Sequence, residues 1–453
     1  TMIGGPFGAA AGKLVGQVLL GNENASEAEI EKALGDTPIL GGMFKGLTVS
    51  GYLETIYTYN LRQHGEDADR ALTSGLATAD ISGWNYLGER NDDSFALEAF
   101  AIFFDKEATD EHPVGWQAHL YFGEKAKRIT FLGAGGFNAA ATTTGTDDTA
   151  RNDIVTIAAA NVTWNAPVLG KKIPITMGKM YTWIGYELVE NIGNPNYTHA
   201  ATYNNAIPFT HMGISFDVSE FLPSDKWGLK LYYVNGWDTY IDNNEGKSFG
   251  AYLSYAPNDD FFISFAAING PETTTKNAAG GGQVGAGFNG NRSSDNVFMY
   301  NVVMTYSLPQ VDKLSLGFDW NHGRAEDNQG ATSWVDPNRA SANNSASSSA
   351  HWWAMVYYAM YDFTDNQQGA LRYEYFDDDD GAKGFGHSMY TITYTHNITI
   401  ADNLLLRPEV RYNKYNVSDG QEEAGGGIRH GALNENLTND DEMVLAFGAE
   451  YVF

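Results

Sequence analysis

The chain has 453 residues, with 28 Lys plus Arg against 56 Asp plus Glu, a formal charge of −28, and no cysteine. That charge has the wrong sign for neutralising phosphates, so no nucleic-acid partner is expected. Without cysteine there is no disulfide, thiolate metal site, cysteine nucleophile or covalent c-type haem attachment. The 24 Phe, 26 Tyr and 10 Trp are too much apolar surface for a disordered chain, and 50 Gly with few lysines suits alternating strands whose faces meet different solvents.

Residues 1–46 differ from the rest. The weakly polar stretch 2–20 holds Pro6, Lys13, Gln17 and five glycines, a poor transmembrane helix, and it lacks the basic start of a signal peptide. Ser26-Glu27-Ala28-Glu29 is a capping box, and 27–34 ending at Gly35 reads as a two-turn helix. The segment is expected to be an N-terminal extension, either periplasmic or tucked into the mouth of the following domain.

From residue 47 a period-2 alternation recurs to the last residue, and no sustained 3.6-residue apolar pattern follows. The first eight segments are 47–61, 94–107, 115–123, 152–165, 172–181, 209–219, 227–235 and 246–256. The second half adds 260–268, 295–308, 313–322, 350–363, 368–376, 386–400, 403–415 and 441–453, about sixteen in all. Their connections alternate in length. Long ones at 62–93, 124–151, 182–208, 236–245, 269–294, 323–349, 377–385 and 416–440 are separated by tight turns such as Pro257-Asn258-Asp259 and Ala401-Asp402. A sandwich has no reason to sort loops by parity. A closed up-and-down transmembrane β-barrel does, with short periplasmic turns and long extracellular loops. The expected fold is therefore an all-β barrel of about 16 antiparallel strands over residues 47–453, placed in the bacterial outer membrane.

The faces agree. Leu445, Phe447, Ala449, Tyr451 and Phe453 share one face of the last segment, with Gly448 and Glu450 on the other. Around residue 390, Tyr390, Ile392, Tyr394 and Ile398 alternate with Thr391, Thr393, Thr395 and Asn397, apolar outward and polar inward. The terminal aromatic is of the type that outer-membrane barrels present to their assembly machinery. Arg372 and Glu374 share one face, as do Arg407, Glu409 and Arg411. Because a midplane Arg facing lipid costs about 2–4 kcal/mol, these five are expected on the lumen wall.

The stretches 180–187 (Met-Tyr-Thr-Trp-Ile-Gly-Tyr-Glu), 194–199 (Asn-Pro-Asn-Tyr-Thr-His) and 208–213 (Pro-Phe-Thr-His-Met-Gly) resemble the OmpL-like outer-membrane β-barrel porin family. So do Val234-Asn235-Gly236-Trp237-Asp238 with Asp242-Asn243-Asn244, Arg372-Tyr373-Glu374-Tyr375-Phe376 and Arg407-Pro408-Glu409-Val410-Arg411-Tyr412. The resemblance runs from about residue 47 to the end and implies a general or weakly selective porin that passes ions and small hydrophilic solutes. Outer-membrane lipid and lipopolysaccharide would surround it. Analogy with sixteen-stranded porins gives a homotrimer.

A porin needs a narrowed lumen, and the long connection 182–208 is the expected constriction, with Glu187, Glu190, Asn194, Asn196, Tyr197, Thr198 and His199 lining a wet pore. The competing reading is an exposed surface loop. For the five wall charges two readings stand. Either they oppose Glu187 or Glu190 across the pore as a transverse field, or they form a bracing Arg–Glu network. The Asp377 to Asp380 run reads as a solvated acidic tip, or as a calcium ligand set without the spacing of a calcium loop. Gly285-Ala286-Gly287-Phe288-Asn289-Gly290 matches a dinucleotide pattern with no helix to follow it, so no cofactor is expected. No catalytic elbow, Walker or zinc motif occurs, and His387-Ser388 is the one adjacent pair suggestive of a lipid-facing hydrolase. A barrel scaffold sheathing a partner such as an electron-transfer protein is the main alternative to a diffusion channel, and an outer-membrane enzyme is the lesser one.

Overall fold

The structure is a computed structural model. It describes residues 46–61, 94–126, 129, 155–240, 242, 246–272, 296–326, 349–379, 382–383, 388–416 and 441–453. The helix expected at 27–34, the glycine-rich 285–290 segment, Asp380 and His387 lie outside the described residues.

Each alternating segment forms one strand. The first eight are β1 (Leu47–Asn60), β2 (Ser94–Lys106), β3 (Val114–Phe122), β4 (Val155–Val168), β5 (Lys171–Tyr181), β6 (Thr210–Asp217), β7 (Trp227–Val234) and β8 (Ser248–Asn258). The others are β9 (Phe261–Pro271), β10 (Asn296–Ser307), β11 (Leu314–Ala325), β12 (Ala350–Thr364), β13 (Gln367–Asp377), β14 (Ser388–Ala401), β15 (Leu404–Asn416) and β16 (Asp441–Val452). Every strand pairs antiparallel with its sequence neighbours, and β1 pairs with β16 to close the barrel. Gly51 and Phe453 exchange both backbone hydrogen bonds at 3.0 Å across that seam. No sheet edge remains, so every strand has a ladder on both sides, as a hydrocarbon surround demands.

Turn chemistry fixes the tightest reversals. Leu169 and Gly170 join β4 to β5 with φ of 52° and 79°, the doubly left-handed pair whose twist matches a two-residue hairpin. On the walls, pleating sends alternate residues to opposite sides. Thr391, Thr393 and Thr395 are buried, while Ile392 at 43% and Tyr394 at 39% stay exposed toward the membrane. Leu445, Phe447 and Tyr451 repeat the outward pattern on β16. No helix among the described residues is long and apolar enough to cross a membrane.

Candidate functional site

Residues 182–209 leave β5, cross the lumen and return as β6. The segment holds a 3-10 turn at Asn191–Gly193 and a π-helical turn at Thr202–Ala206. The rest is irregular and has few internal partners for its N–H and C=O groups. At membrane depth such backbone persists only where protein or a wet cavity satisfies it. Here the wall does so.

The cations of the wall bind carbonyls. Arg407 donates to the backbone oxygens of Asn191 (2.6 Å), Asn194 (2.6 Å) and Pro195 (3.0 Å). Arg411 donates to His199 O at 2.7 Å. Arg372 donates to Thr198 O at 2.5 Å and to Glu187 Oε1 at 2.7 Å, where it forms an ion pair. The carboxylates of the wall bind amides. Glu374 accepts from the N–H groups of Ala201 (2.9 Å) and Thr202 (2.5 Å), and from the hydroxyl groups of Thr202 and Thr391. Glu409 accepts from Tyr197 N–H (2.8 Å), Thr198 N–H (3.2 Å) and the Thr198 and Thr395 hydroxyls. Asn196 donates to Ala370 O and Thr395. Asn194 exchanges hydrogen bonds with Leu188 at both backbone groups, and His199 reaches Leu188 O as well.

This geometry revises the transverse-field expectation. Arg372 and Arg407 are fully buried and Arg411 is 1% exposed, so none faces open water. Glu187 lies in direct contact with Arg372 instead of across a gap. Glu190 turns to the other side of the lumen, where Tyr121 of β3 donates to it at 2.5 Å. The physical reason is desolvation: a segment seated on these charges removes their water, and its peptide groups and Glu187 are the replacement.

Three aromatic rings of the segment rest on glycines of the wall. A Cβ placed on Gly448 of β16 would lie 2.3 Å from the Tyr197 ring, one on Gly250 of β8 would lie 2.0 Å from Trp183, and one on Gly317 of β11 would lie 3.0 Å from Tyr186. Trp183 also stacks on Tyr232 at 3.7 Å between centroids and donates its indole N–H to Ala267 O.

Two groups escaped the sequence reading. Lys125, just past β3, pairs with Glu54 of β1 at 3.1 Å, and Asn191 donates to the same carboxylate at 2.7 Å. On β10 and β11, Asn301 and Asp319 accept the N–H groups of Gly185 and Tyr186. The alternation of β1 put Glu54 inward with Tyr52 and Ile56, which was a usable signal. Lys125 had none, because it lies in the connection beyond the alternating segment that ends at residue 123.

At the extracellular end, Asp238 Oδ1 accepts the N–H groups of Phe209 and Thr210, both at 2.8 Å. Burial pushes its carboxyl up to about 7, and that of Glu272, which accepts Trp237 N–H, up to about 8. Lys383 sits 4.5 Å over the Trp237 ring, and burial lowers its ammonium to about 8. Asp378 of the acidic run is buried and accepts Lys383 N–H, so that member of the run is not a solvated tip.

Polar space remains in the lumen. A row on β2–β4 links His119 and Gln117 to Asp105, and Asn161 to Gln117, at 2.9–3.1 Å. A cavity of about 680 Å³ opens beneath residues 192–195, lined by Asn366, Gln368, Asn397 and Thr399 among others.

The fold is shared with solved outer-membrane channels. DcaP of Acinetobacter baumannii matches with a TM-score of 0.51 at 10% identity, over 90% of this chain and 97% of that one. The complex of Salmonella typhi OmpF with daunomycin gives 0.51 at 13% identity, over 90% and 97%. An anion-selective porin from Comamonas acidovorans gives 0.50 at 9% identity, over 90% and 99%. Comparison with curated proteins found no match. The model of the family described as "Putative beta-barrel porin-2, OmpL-like" matches residues 46–451. With nearly the whole barrel inside that match, the chain belongs to the OmpL-like β-barrel porin family and is an outer-membrane porin.

Proposed function

We propose that the channel passes ions and small hydrophilic solutes by passive diffusion, and that residues 182–208 are its constriction. The observation that carries this is the seating of the segment on buried charges of β13–β15, which narrows the lumen while a cavity stays open beneath residues 192–195. Glu187, Asn194, Asn196, Tyr197, Thr198 and His199 then act as the structural side of the constriction, held in place by Arg372, Glu374, Arg407, Glu409 and Arg411. Glu190 reaches toward the passage. No catalytic chemistry is assigned. The chain works as a homotrimer in outer-membrane lipid and lipopolysaccharide.

Single-channel recording of the purified protein in planar bilayers tests the reading. Discrete ohmic steps with weak ion selectivity are expected. A protein that inserts and yields no conductance would overturn it in favour of a scaffold.

A further inference from the structure

We infer that Glu54, Glu450, Asn191 and Tyr52 form a binding site for the primary ammonium group of a solute, and that Lys125 occupies it as the chain's own ligand. Glu54 of β1 and Glu450 of β16 stand directly opposite each other across the seam that closes the barrel, both facing inward and both 0% exposed. Like charges at opposed positions repel, and burial adds the cost of their lost hydration. The strands beside them give little relief. Ala99 on β2 pairs with Glu54 and Leu405 on β15 pairs with Glu450, and neither carries charge. Arg407 comes within 3.5 Å of Glu450 Oε1, but its guanidinium donates to Asn397 and to the carbonyls of Asn191, Asn194 and Pro195.

The balancing cation comes from outside the strands. β3 ends at Phe122, Gly123 turns the chain at a φ of 99°, and a helical turn at 124–126 brings Lys125 inside. Its ammonium donates to Glu54 Oε2 at 3.1 Å and to the Tyr52 hydroxyl at 3.3 Å, and lies 5.6 Å from the centre of the Tyr52 ring. A carboxylate, a hydroxyl and a ring face are what an alkylammonium binds. The site has acceptors to spare. Neither oxygen of Glu450 has a hydrogen-bond partner, nor does Asn191 Oδ1, although Asn191 is 4% exposed. An ammonium has three donors, and one that is not tied to the backbone at residue 125 can turn its third toward these atoms.

The donor set selects this class of cation. A guanidinium fork needs both oxygens of one carboxylate, and Glu54 Oε1 already accepts from Asn191 at 2.7 Å. Calcium takes six to eight oxygens, and no cluster of three His, Cys, Asp or Glu suited to a metal occurs among the described residues. Open space lies close by. Arg407, which touches Glu450, also lines the cavity of about 680 Å³, as does Ile192 next to Asn191. Arrival of the solute through the lumen rests on the diffusion reading; the binding itself does not.

Lys125→Ala vacates the site. The probe is n-butylammonium, the lysine side chain without its backbone, and the control is tetramethylammonium, a cation with no N–H donor. Urea midpoints in detergent read binding without any current, and planar-bilayer recordings read it in the channel. Butylammonium should raise the midpoint of Lys125→Ala and interrupt its current at concentrations roughly tenfold or more below those acting on the parent, which is the weight of the charge-assisted hydrogen bond it no longer displaces. Tetramethylammonium should do neither, and adding Glu54→Gln should remove the response. Should Lys125→Ala not fold, Lys125→Met keeps the length of the stem, leaves a gap only at the nitrogen, and is probed with ammonium chloride in the same way. Equal responses of parent and variant, or a response that survives Glu54→Gln, overturn the inference and leave Lys125 as a brace of the seam. A raised midpoint in a protein whose parent carries no current supports the site and overturns the diffusion reading alone.

Discussion

Replacing Arg372 with Ala tests whether the wall charges hold the crossing segment. The guanidinium makes five hydrogen bonds, to Glu187, to Thr198 O and its hydroxyl, to His199 O and to Thr393. After truncation the buried Glu187 carboxylate keeps only Ala200 N–H and the Tyr358 hydroxyl. Removing one partner of a buried pair costs about 3–5 kcal/mol. The wall need not bear that cost, because β13 keeps its ladders to β12 and β14. It falls on the seated state of the segment, which can escape to water. At about 1.4 kcal/mol per decade, the seated-to-unseated equilibrium shifts by roughly two to three and a half decades. Planar-bilayer recordings of Arg372→Ala should then show frequent transitions to a higher conductance, while heat-modifiable gel mobility shows a folded barrel. Adding Glu187→Gln removes the stranded charge and should restore part of the quiet state. Conductance and open-channel noise identical to the parent protein, with the barrel intact, would refute the reasoning.

Gly448→Val places a side chain where the Tyr197 ring lies, so the ring must leave its seat; conductance should become heterogeneous, whereas the outward change Phe447→Val should leave it uniform. Asp238 holds a raised carboxyl of about 7, so its contribution to stability is complete below pH ~4 and is lost as the pH climbs through 7. Asp238→Asn keeps both accepted bonds, since they share Oδ1, and Asn suits the positive φ of 51°. Urea midpoints should show the variant gaining on the parent by a few kcal/mol between pH 5 and pH 8; a constant difference would mean that the nearby Lys383 and Lys179 keep Asp238 ionised across that range despite its burial. The charge of −28 predicts mild cation preference at ~0.1 M salt that fades near 1 M, as the Debye length falls from about 10 Å to about 3 Å. Anion preference in reversal potentials at low salt would show that lumenal cations dominate.

The barrel was legible because its rule is local. Alternation at residues 390–398 and 445–453 states which side meets lipid, and loop parity states which end is outside; strand ends differ from the expected ones by at most three residues. The direction of Arg407, Glu409 and Arg411 followed from the cost of a charge in hydrocarbon. Their partners did not. Arg407 meets Asn191 across more than two hundred positions of sequence, and no period links them. Inward does not mean wet: a charge facing a lumen can be covered by another part of the chain, and the carbonyls that cover Arg372, Arg407 and Arg411 carry no mark in the side-chain pattern. Glu54 was readable by the same alternation, but its partner Lys125 was not.

The glycine seats beneath Tyr197, Trp183 and Tyr186 bear on how the barrel comes to be paired correctly. A slip of one residue between strands turns every outward side chain inward, and the contrast between lipid and lumen rejects it. A slip of two keeps the faces and escapes that check. Moved by two, β16 would offer Ala446 or Glu450 beneath Tyr197, β8 would offer Ser248 or Tyr252 beneath Trp183, and β11 would offer Ser315 or Asp319 beneath Tyr186. On β8 and β16 no such side chain leaves room for the ring, and on β11 the Tyr186 ring would have to give way. The crossing segment therefore acts as a gauge for the even slips that hydrophobic patterning cannot see, and it can seat only after β8, β11 and β16 have all reached their final registers.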